Sequence, residues 1–372
     1  KVTHFVREII VKDENRLLTA YLWERMPYWW YVKRTYRALR VTECRLPRAY
    51  KREIKKFWKR HLNIRVSTLG YQYFFVANGV EDVRYIPQDV FAKYIIRKLN
   101  RLEFAKAYAD KNLYDKLFPG VNTPKTVLRN INGRFYDDLY RHLDKESAIT
   151  RVIRAMGDGT LIIKPAIDSG GGNNIRVIDA GSPDFSKGTP ETVVGEVLDR
   201  YSKDYIVQCF FDQHDLLQSM YPYSVNTIRV VTFERNGEIK VLATVLKMGN
   251  NSGFLDKVSM GGLSCAIRQQ GELSKWAFTS DIQRPVTHHP QTDFRFEGTV
   301  IPNFSRVLTL ATSLHAEIAH CFRLVSWDIA LGKDGNPALI EVNLRNQGIM
   351  IPQLNCGPLF GEETLQVLEE IR

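Results

Sequence analysis

The sequence predicts an α+β protein: two β-rich lobes, preceded by a small mixed domain and a basic helical segment at the N-terminus. Three stretches carry this expectation. Residues 325–346, VSWDIALGKDGNPALIEVNLRN, read as two alternating strands, 325–331 and 338–344, around a turn-rich GKDGNP segment. Residues 227–235 and 238–247 read as a second hairpin around the Asn236-Gly237 turn. Residues 161–165 form a short apolar strand, followed by DSGGGNN and a second strand at 175–178, which together make a flexible hairpin flap.

A chain of 372 residues, 44% hydrophobic and 11% aromatic, can bury a large core and suits two or three subdomains. No run of eighteen apolar residues is present, which argues against a transmembrane span. Arg7, Glu8, Lys12 and Asp13 interrupt the first apolar run, so no signal peptide and a cytoplasmic location are expected. Five scattered cysteines without a CxxC pair argue against a disulfide framework or zinc site and are expected to be core thiols. Charge is distributed unevenly. Residues 1–60 hold 17 lysines and arginines against six acids, a net of +11 that equals the formal charge of the whole chain. The remaining 312 residues are balanced, 35 against 35, so partner binding and catalysis are expected to be separate in space.

Taken in order, residues 1–65 are expected to be helical, basic and rich in aromatics. In YKREIKKFWKRHL, Ile54, Phe57, Trp58 and Leu62 recur at helical spacing among Lys51, Arg52, Lys55, Lys56, Lys59 and Arg60. Residues 66–153 combine an expected strand at 71–77, a helical stretch at 88–117 and a turn at Pro119-Gly120 into a mixed domain. The first lobe, residues 154–225, holds the glycine flap, a helix around 191–201 and the buried strand YIVQCFF, which ends at DQHD. The second lobe, residues 226–372, holds both hairpins, a loop-rich stretch at 249–303 and a helix at 305–321.

Several groups suggest chemistry. Pairing Leu331 with Ala338 sets Asp328 opposite Glu341, and Asn343 shares Glu341's face. Facing carboxylates repel, so beside an amide oxygen they call for a hard cation. Mg2+, which keeps open positions for phosphate oxygens, is the natural choice. The plainer reading is an exposed hairpin with ordinary surface acids. Gly170, Gly171 and Gly172 would let backbone N–H groups approach phosphates, and Lys164 would neutralise them; a mobile hairpin tip is the plainer reading here. No GxxxxGK[ST] occurs and the glycine loop does not open a helix, which sets aside P-loop and dinucleotide-binding readings. Pairing Arg235 with Glu238 puts Arg229 opposite Thr244, so Arg229 and Lys247 fall on opposite faces unless a bulge intervenes. His315 and His320, five apart, do not share a helix face and no HExxH is present, so zinc has no support. His288-His289 reads equally as a surface pair or as a substrate or hydrogen-bonding site. No nucleophile elbow or Cys–His signature supports covalent hydrolysis.

Over residues 71–360 the chain resembles the ATP-grasp superfamily, specifically the ATP-grasp proteins associated with sugar transfer and surface-polysaccharide biosynthesis. The resemblance is carried by Asp110-Lys111, IIKPAIDSGGG, IVQCFFDQHD, NTIRVVTF, His289-Pro290 and WDIALGKDGNPALIEVN. It implies an ATP-grasp fold, in which two β-rich lobes clasp ATP, with ATP and Mg2+ as cofactors. By this resemblance Lys111 and Lys164 would bind the phosphates, and Ser169, Gly170, Gly171 and Gly172 would close over them. Gln208, Cys209 and Phe210 would offer backbone atoms to adenine, Asp215 would reach the ribose, and Asp328, Glu341 and Asn343 would hold Mg2+. Two departures stand out. Gln208 replaces a glutamate common among relatives, and LRNQG replaces the N-x-x-P-G ending of D-alanine ligases, so their acceptor pocket cannot be carried over.

The implied reaction is ligation: ATP phosphorylates a carboxylate, an amine attacks the acylphosphate, and an amide, ADP and phosphate result. The tetrahedral intermediate suits an arginine, with Arg229 the first candidate and Lys247 the second. Small-molecule or glycan carboxylates and amines are the expected substrates. The alternatives are a kinase acting on a sugar hydroxyl and a non-catalytic nucleotide-binding recruitment module. Residues 1–60 are expected either to dock on an anionic inner-membrane surface or polyanionic precursor, or to pack on the enzyme and leave a solvated basic face. Nucleic acid is disfavoured by the absence of an RNA-binding motif.

Overall fold

Two antiparallel six-stranded sheets carry the fold. The computed structural model describes residues 45–167, 174–181, 185, 188–250, 262–279 and 285–372, so Ser169, Gly170, Gly171 and Gly172 lie outside the described residues. The first sheet has the order β3-β2-β1-β6-β4-β5. Its strands are β1 (Thr126–Ile131), β2 (Arg134–Tyr136), β3 (His142–Leu143), β4 (Leu161–Pro165), β5 (Arg176–Ile178) and β6 (Tyr205–Cys209). Strands from both sides of residue 153 share this sheet; β1 to β3 are not anticipated in the sequence reading. Alternation sorts β4 by face. Leu161 and Ile163 join Val152 and Met156 of helix α3 (Lys145–Gly157) and Val194 and Leu198 of α4 (Pro190–Tyr201) in one core. Ile162 and Lys164 therefore face the other way, beside Gln208 and Ile206 of β6.

The second sheet has the order β10-β9-β8-β7-β11-β12. It comprises β7 (Thr227–Arg235), β8 (Glu238–Met248), β9 (Leu263–Ile267), β10 (Leu273–Thr279), β11 (Leu324–Leu331) and β12 (Pro337–Asn343). The Asn236-Gly237 turn is as expected: both residues have positive φ, 55° and 81°, which a two-residue hairpin of this hand requires. One face of the sheet packs Ile228, Val230, Trp327 and Ile329 against Val307, Ala311 and Leu314 of helix α6 (Phe304–Ile318). Along the other face, Val231, Phe233 and Leu324 enter a separate core, while Arg229 and Asp328, opposite each other in the ladder, meet on that same face.

That separate core incorporates the described part of the basic segment, residues 45–62, while residues 1–44 lie outside the described residues. Helix α1 (Arg48–Leu62) buries Tyr50, Ile54 and Trp58 and turns its lysines and arginines outward. Its apolar stripe joins Phe74 of α2 (Leu69–Asn78) and Val367 and Leu368 of α7 (Thr364–Ile371). The Trp58 indole N–H donates to the Tyr71 hydroxyl at 2.6 Å, and that hydroxyl donates to the Tyr85 carbonyl at 2.7 Å. The strand expected at 71–77 is thus a helix. Tyr71, Gln72, Tyr73 and Phe74 are buried consecutively, so the aromatic run reflects burial on all sides and not alternation, and Gly79 at φ 72° ends it with an N–H to Phe75 O.

Other expectations shift. The 88–117 stretch is helical only in pieces, with a π-helical turn at Phe91–Ile95 and a 3-10 turn at Lys111–Leu113. The loop-rich stretch contains β9 and β10. Of the described cysteines, Cys265 and Cys321 are buried, Cys209 is half-buried and Cys356 is exposed, so not all are core thiols; Cys44 lies outside the described residues. No described helix is long and apolar enough to cross a membrane.

If α1 belongs to the core, Ile54→Ala should destabilise the protein by about 2–5 kcal/mol in urea unfolding, as buried aliphatic truncations do. A loss indistinguishable from that of an exposed residue would detach α1 from the fold.

Candidate active site

The site is built on two β-bulges. β11 and β12 begin their pairing at Leu331 and Pro337, one residue away from the simple hairpin register, and a bulge at Ile340 restores Asp328 opposite Glu341. β7 and β8 pair Arg235 with Glu238, as expected, until a bulge shifts the register between Val231 and Thr232. Beyond it Arg229 faces Val245 and Thr227 faces Lys247. The bulge removes the parity conflict, and Arg229 and Lys247 fall on one face.

Both reach Asp328. The Arg229 fork donates from Nε to Oδ1 at 2.9 Å and from Nη2 to Oδ2 at 2.7 Å, and Lys247 Nζ donates to Oδ2 at 3.2 Å. None of the three side chains is more than 10% exposed. Burial alone would raise the Asp328 carboxyl, but Arg229 and Lys247 outweigh it and hold the group at about 2. Asn343 Nδ2 lies 3.5 Å from Asp328 Oδ2. Gly348, at φ 61°, passes so close that a Cβ there would sit 3.0 Å from Arg229 Nη1. The role of this glycine is absent from the sequence reading, although LRNQG marks the place.

Lys111 ties the two sheets together. Asp110 caps its 3-10 turn by accepting the Asn112 N–H at 2.9 Å, and the Lys111 N–H donates to Ala166 O, just past β4, at 3.1 Å. Its Nζ crosses to Glu341 Oε1 on β12 at 2.8 Å. Lys164 is buried nearby. Desolvation, reinforced by the charge of Lys111 and opposed by Glu341, pulls its ammonium down to about 7.

The segment after β6 is fixed to the tip of the β11–β12 hairpin by His214 N–H to Leu331 O and Lys333 N–H to Asp212 O. Gln208 donates its side-chain amide to Pro124 O at 2.9 Å, while the N–H groups of Cys209 and Phe210 are taken by Lys125 O and Thr160 O. Adenine recognition at Gln208, Cys209 and Phe210 would therefore fall to carbonyl oxygens. Asp215 is exposed on the first turn of α5 (Asp215–Met220).

The histidines divide. His288 is exposed beside Thr287, whereas His289 is fully buried. His289 Nδ1 accepts the Gln291 N–H, so Nε2 carries the proton and donates to Gly249 O at 3.0 Å, two residues beyond Lys247. A Cβ on Gly249 would meet Tyr221 at 2.2 Å, so the end of β8 is fixed there. His315 is also structural: Nε2 donates to Phe322 O, and Nδ1 accepts from Thr232, whose oxygen accepts the Trp327 indole N–H.

Asp328, Glu341 and Asn343 carry the oxygen chemistry that Mg2+ takes, but the facing carboxylates are balanced here without a cation: Arg229 and Lys247 hold Asp328, Lys111 holds Glu341, and Asn343 turns its Nδ2 to Asp328. Among the described residues no group of three His, Cys, Asp or Glu side chains is placed to hold a metal, so such an ion would depend on Asn343 and on phosphate or water oxygens. The signature of sugar-transfer associated ATP-grasp proteins matches residues 90–368. The chain belongs to that family.

The ATP-grasp fold accounts for the two antiparallel six-stranded sheets. Among solved structures, the chain is similar to D-alanyl-alanine synthetase A from Vibrio cholerae, with 14% identity, TM-score 0.41, and coverage of 72% of this chain and 65% of that one. The chain thus spans less than two thirds of that enzyme. It is also similar to D-cycloserine synthetase, with 16% identity, TM-score 0.41, and coverage of 73% and 72%. No curated protein matches it.

Within this ATP-grasp site, Asp328→Asn leaves Arg229 and Lys247 buried beside a neutral group and should cost about 3–5 kcal/mol. The folded-state pKa of Asp328 lies below the unfolded value near 4, so its contribution is complete above that value and lost as pH falls towards 2. Acid unfolding should show that component in the wild type and not in Asp328→Asn; identical profiles would contradict the ion cluster.

Proposed function

We propose that the protein is an ATP-dependent, ADP-forming ligase that joins a carboxylate to an amine through an acylphosphate. The observation that carries this reading is the gathering of Arg229 and Lys247 on Asp328, in register with Glu341 and Asn343, on a sheet to which Lys111 reaches from the opposite lobe. The basic side chains Arg229, Lys247, Lys111 and Lys164 outnumber the two acids, so the cleft is suited to the negative charge of a triphosphate.

In this reading Lys111 and Lys164 bind phosphate oxygens and Ser169, Gly170, Gly171 and Gly172 cover them. Asp328, Glu341 and Asn343 would hold Mg2+, which neutralises phosphate charge when bound. A substrate carboxylate oxygen attacks the γ-phosphorus as the bond to ADP breaks. The amine nitrogen then adds to the acyl carbon, Arg229 stabilises the oxyanion with Lys247 beside it, and phosphate leaves as the amine sheds a proton. Carbonyls of Cys209 and Phe210 would meet adenine, and Asp215 the ribose. The carboxylate and amine are proposed to belong to surface-polysaccharide or glycoconjugate precursors, with the enzyme in the cytoplasm and peripheral at the inner membrane face.

Incubation with ATP, Mg2+ and pools of uronic acids, amino acids and amino sugars tests the reaction class. Phosphate release that requires both an acid and an amine, with an amide formed, is the expected result. A phosphorylated sugar without amide would replace the reading with a kinase, and ATP binding without turnover across the pools would favour a non-catalytic module.

A further inference from the structure

The outward face of α1 is charged in a way that folding does not explain. Residues 45–60 hold eight lysines and arginines and one acid, a net of +7 out of the chain's +11. Lys51–Lys55, Arg52–Lys56, Lys55–Lys59 and Lys56–Arg60 are like-charge pairs at i,i+4, each of which destabilises the helix. The first turn begins at Arg48 and contains no acid, so positive charge meets the positive end of the helix dipole. Arg52, Lys55, Lys56 and Arg60 are exposed and form no ion pair among the described residues. An ordinary solvated face would interleave acids; this one repels itself.

We propose that the Arg52–Lys55–Lys56–Lys59–Arg60 face of α1 docks the protein electrostatically on an anionic phospholipid bilayer. Docking does not involve insertion, because the apolar stripe of the helix is already used: Tyr50, Ile54 and Trp58 are at most 2% exposed within the protein core. A helix of 15 residues, about 22 Å long, lays its charges along one line suited to a flat array of headgroups. Nucleic acid fits less well. Tyr50 and Trp58 are buried, and Phe57 packs edge-on against Trp58 and against the His61 ring, so the face has no free aromatic platform for unstacked bases. This inference does not depend on the ligase reading.

Co-sedimentation of the full chain with vesicles tests it. The protein should pellet at low salt with phosphatidylcholine vesicles containing phosphatidylglycerol, remain in solution with phosphatidylcholine alone, and be released by high salt. In the variant Lys55→Gln, Lys56→Gln, Lys59→Gln, Arg60→Gln the affinity should fall by about a hundredfold or more. Its melting temperature should hold or rise, since the repulsion is relieved. Unchanged vesicle binding by that variant, binding to neutral vesicles, or no binding to anionic vesicles at low salt would overturn the proposal. So would tighter binding to a single-stranded oligonucleotide than to the anionic vesicles.

Discussion

The buried contact of Asp328 with Arg229 and Lys247 is the constraint on which the rest of the site depends. Removing three charges from water costs more than their mutual attraction returns unless geometry is good and every group is matched, and apolar replacements of similar volume would serve stability at least as well. Here the geometry is a bidentate arginine fork with a lysine on the same carboxylate. Such a cluster is better explained by function than by folding, because buried, fixed charge that apolar side chains could replace without loss of stability is what functional sites gather.

Holding the cluster in place requires both bulges. Without the shift between Val231 and Thr232, Lys247 would point to the helix-packed face, and without the extra residue at Ile340, Glu341 would not face Asp328. The first bulge adds Leu242 to β8 opposite Val231 and Thr232, and the Thr232 hydroxyl accepts from Trp327 and donates to His315. Burial pushes His315 down to about 4, so this network stays neutral across ordinary pH. The helix α6 side of the sheet thus fixes the register, and the opposite side presents the chemistry.

Much of this was legible in the sequence, for particular reasons. The pairing of Asp328 with Glu341 follows from strand alternation, though the simple register starts one residue off and the bulge corrects it. The conflict between Arg229 and Lys247 was visible as a parity problem whose solution had to be a bulge; its position depends on packing that no local pattern records. Alternation failed at Tyr71 to Phe74, where complete burial makes a helix look like a strand. It also gave no sign of β1 to β3, or of the sequence-distant contact between Lys111 and Glu341, because long-range pairing leaves little trace in a single chain. The apolar stripe of α1 was plain from helical spacing, and the structure resolves what it covers: the stripe packs into the core with α2 and α7.

In the proposed site, Asp328, Glu341 and Asn343 would hold a divalent cation together with ATP. Substituting Mn2+ for Mg2+ and following its paramagnetic resonance as the protein is titrated with ATP tests it most directly. ATP-dependent Mn2+ binding by the wild type is expected, weakened about tenfold or more in Glu341→Gln while that variant remains folded. Equal Mn2+ binding by the two proteins in the presence of ATP would contradict it.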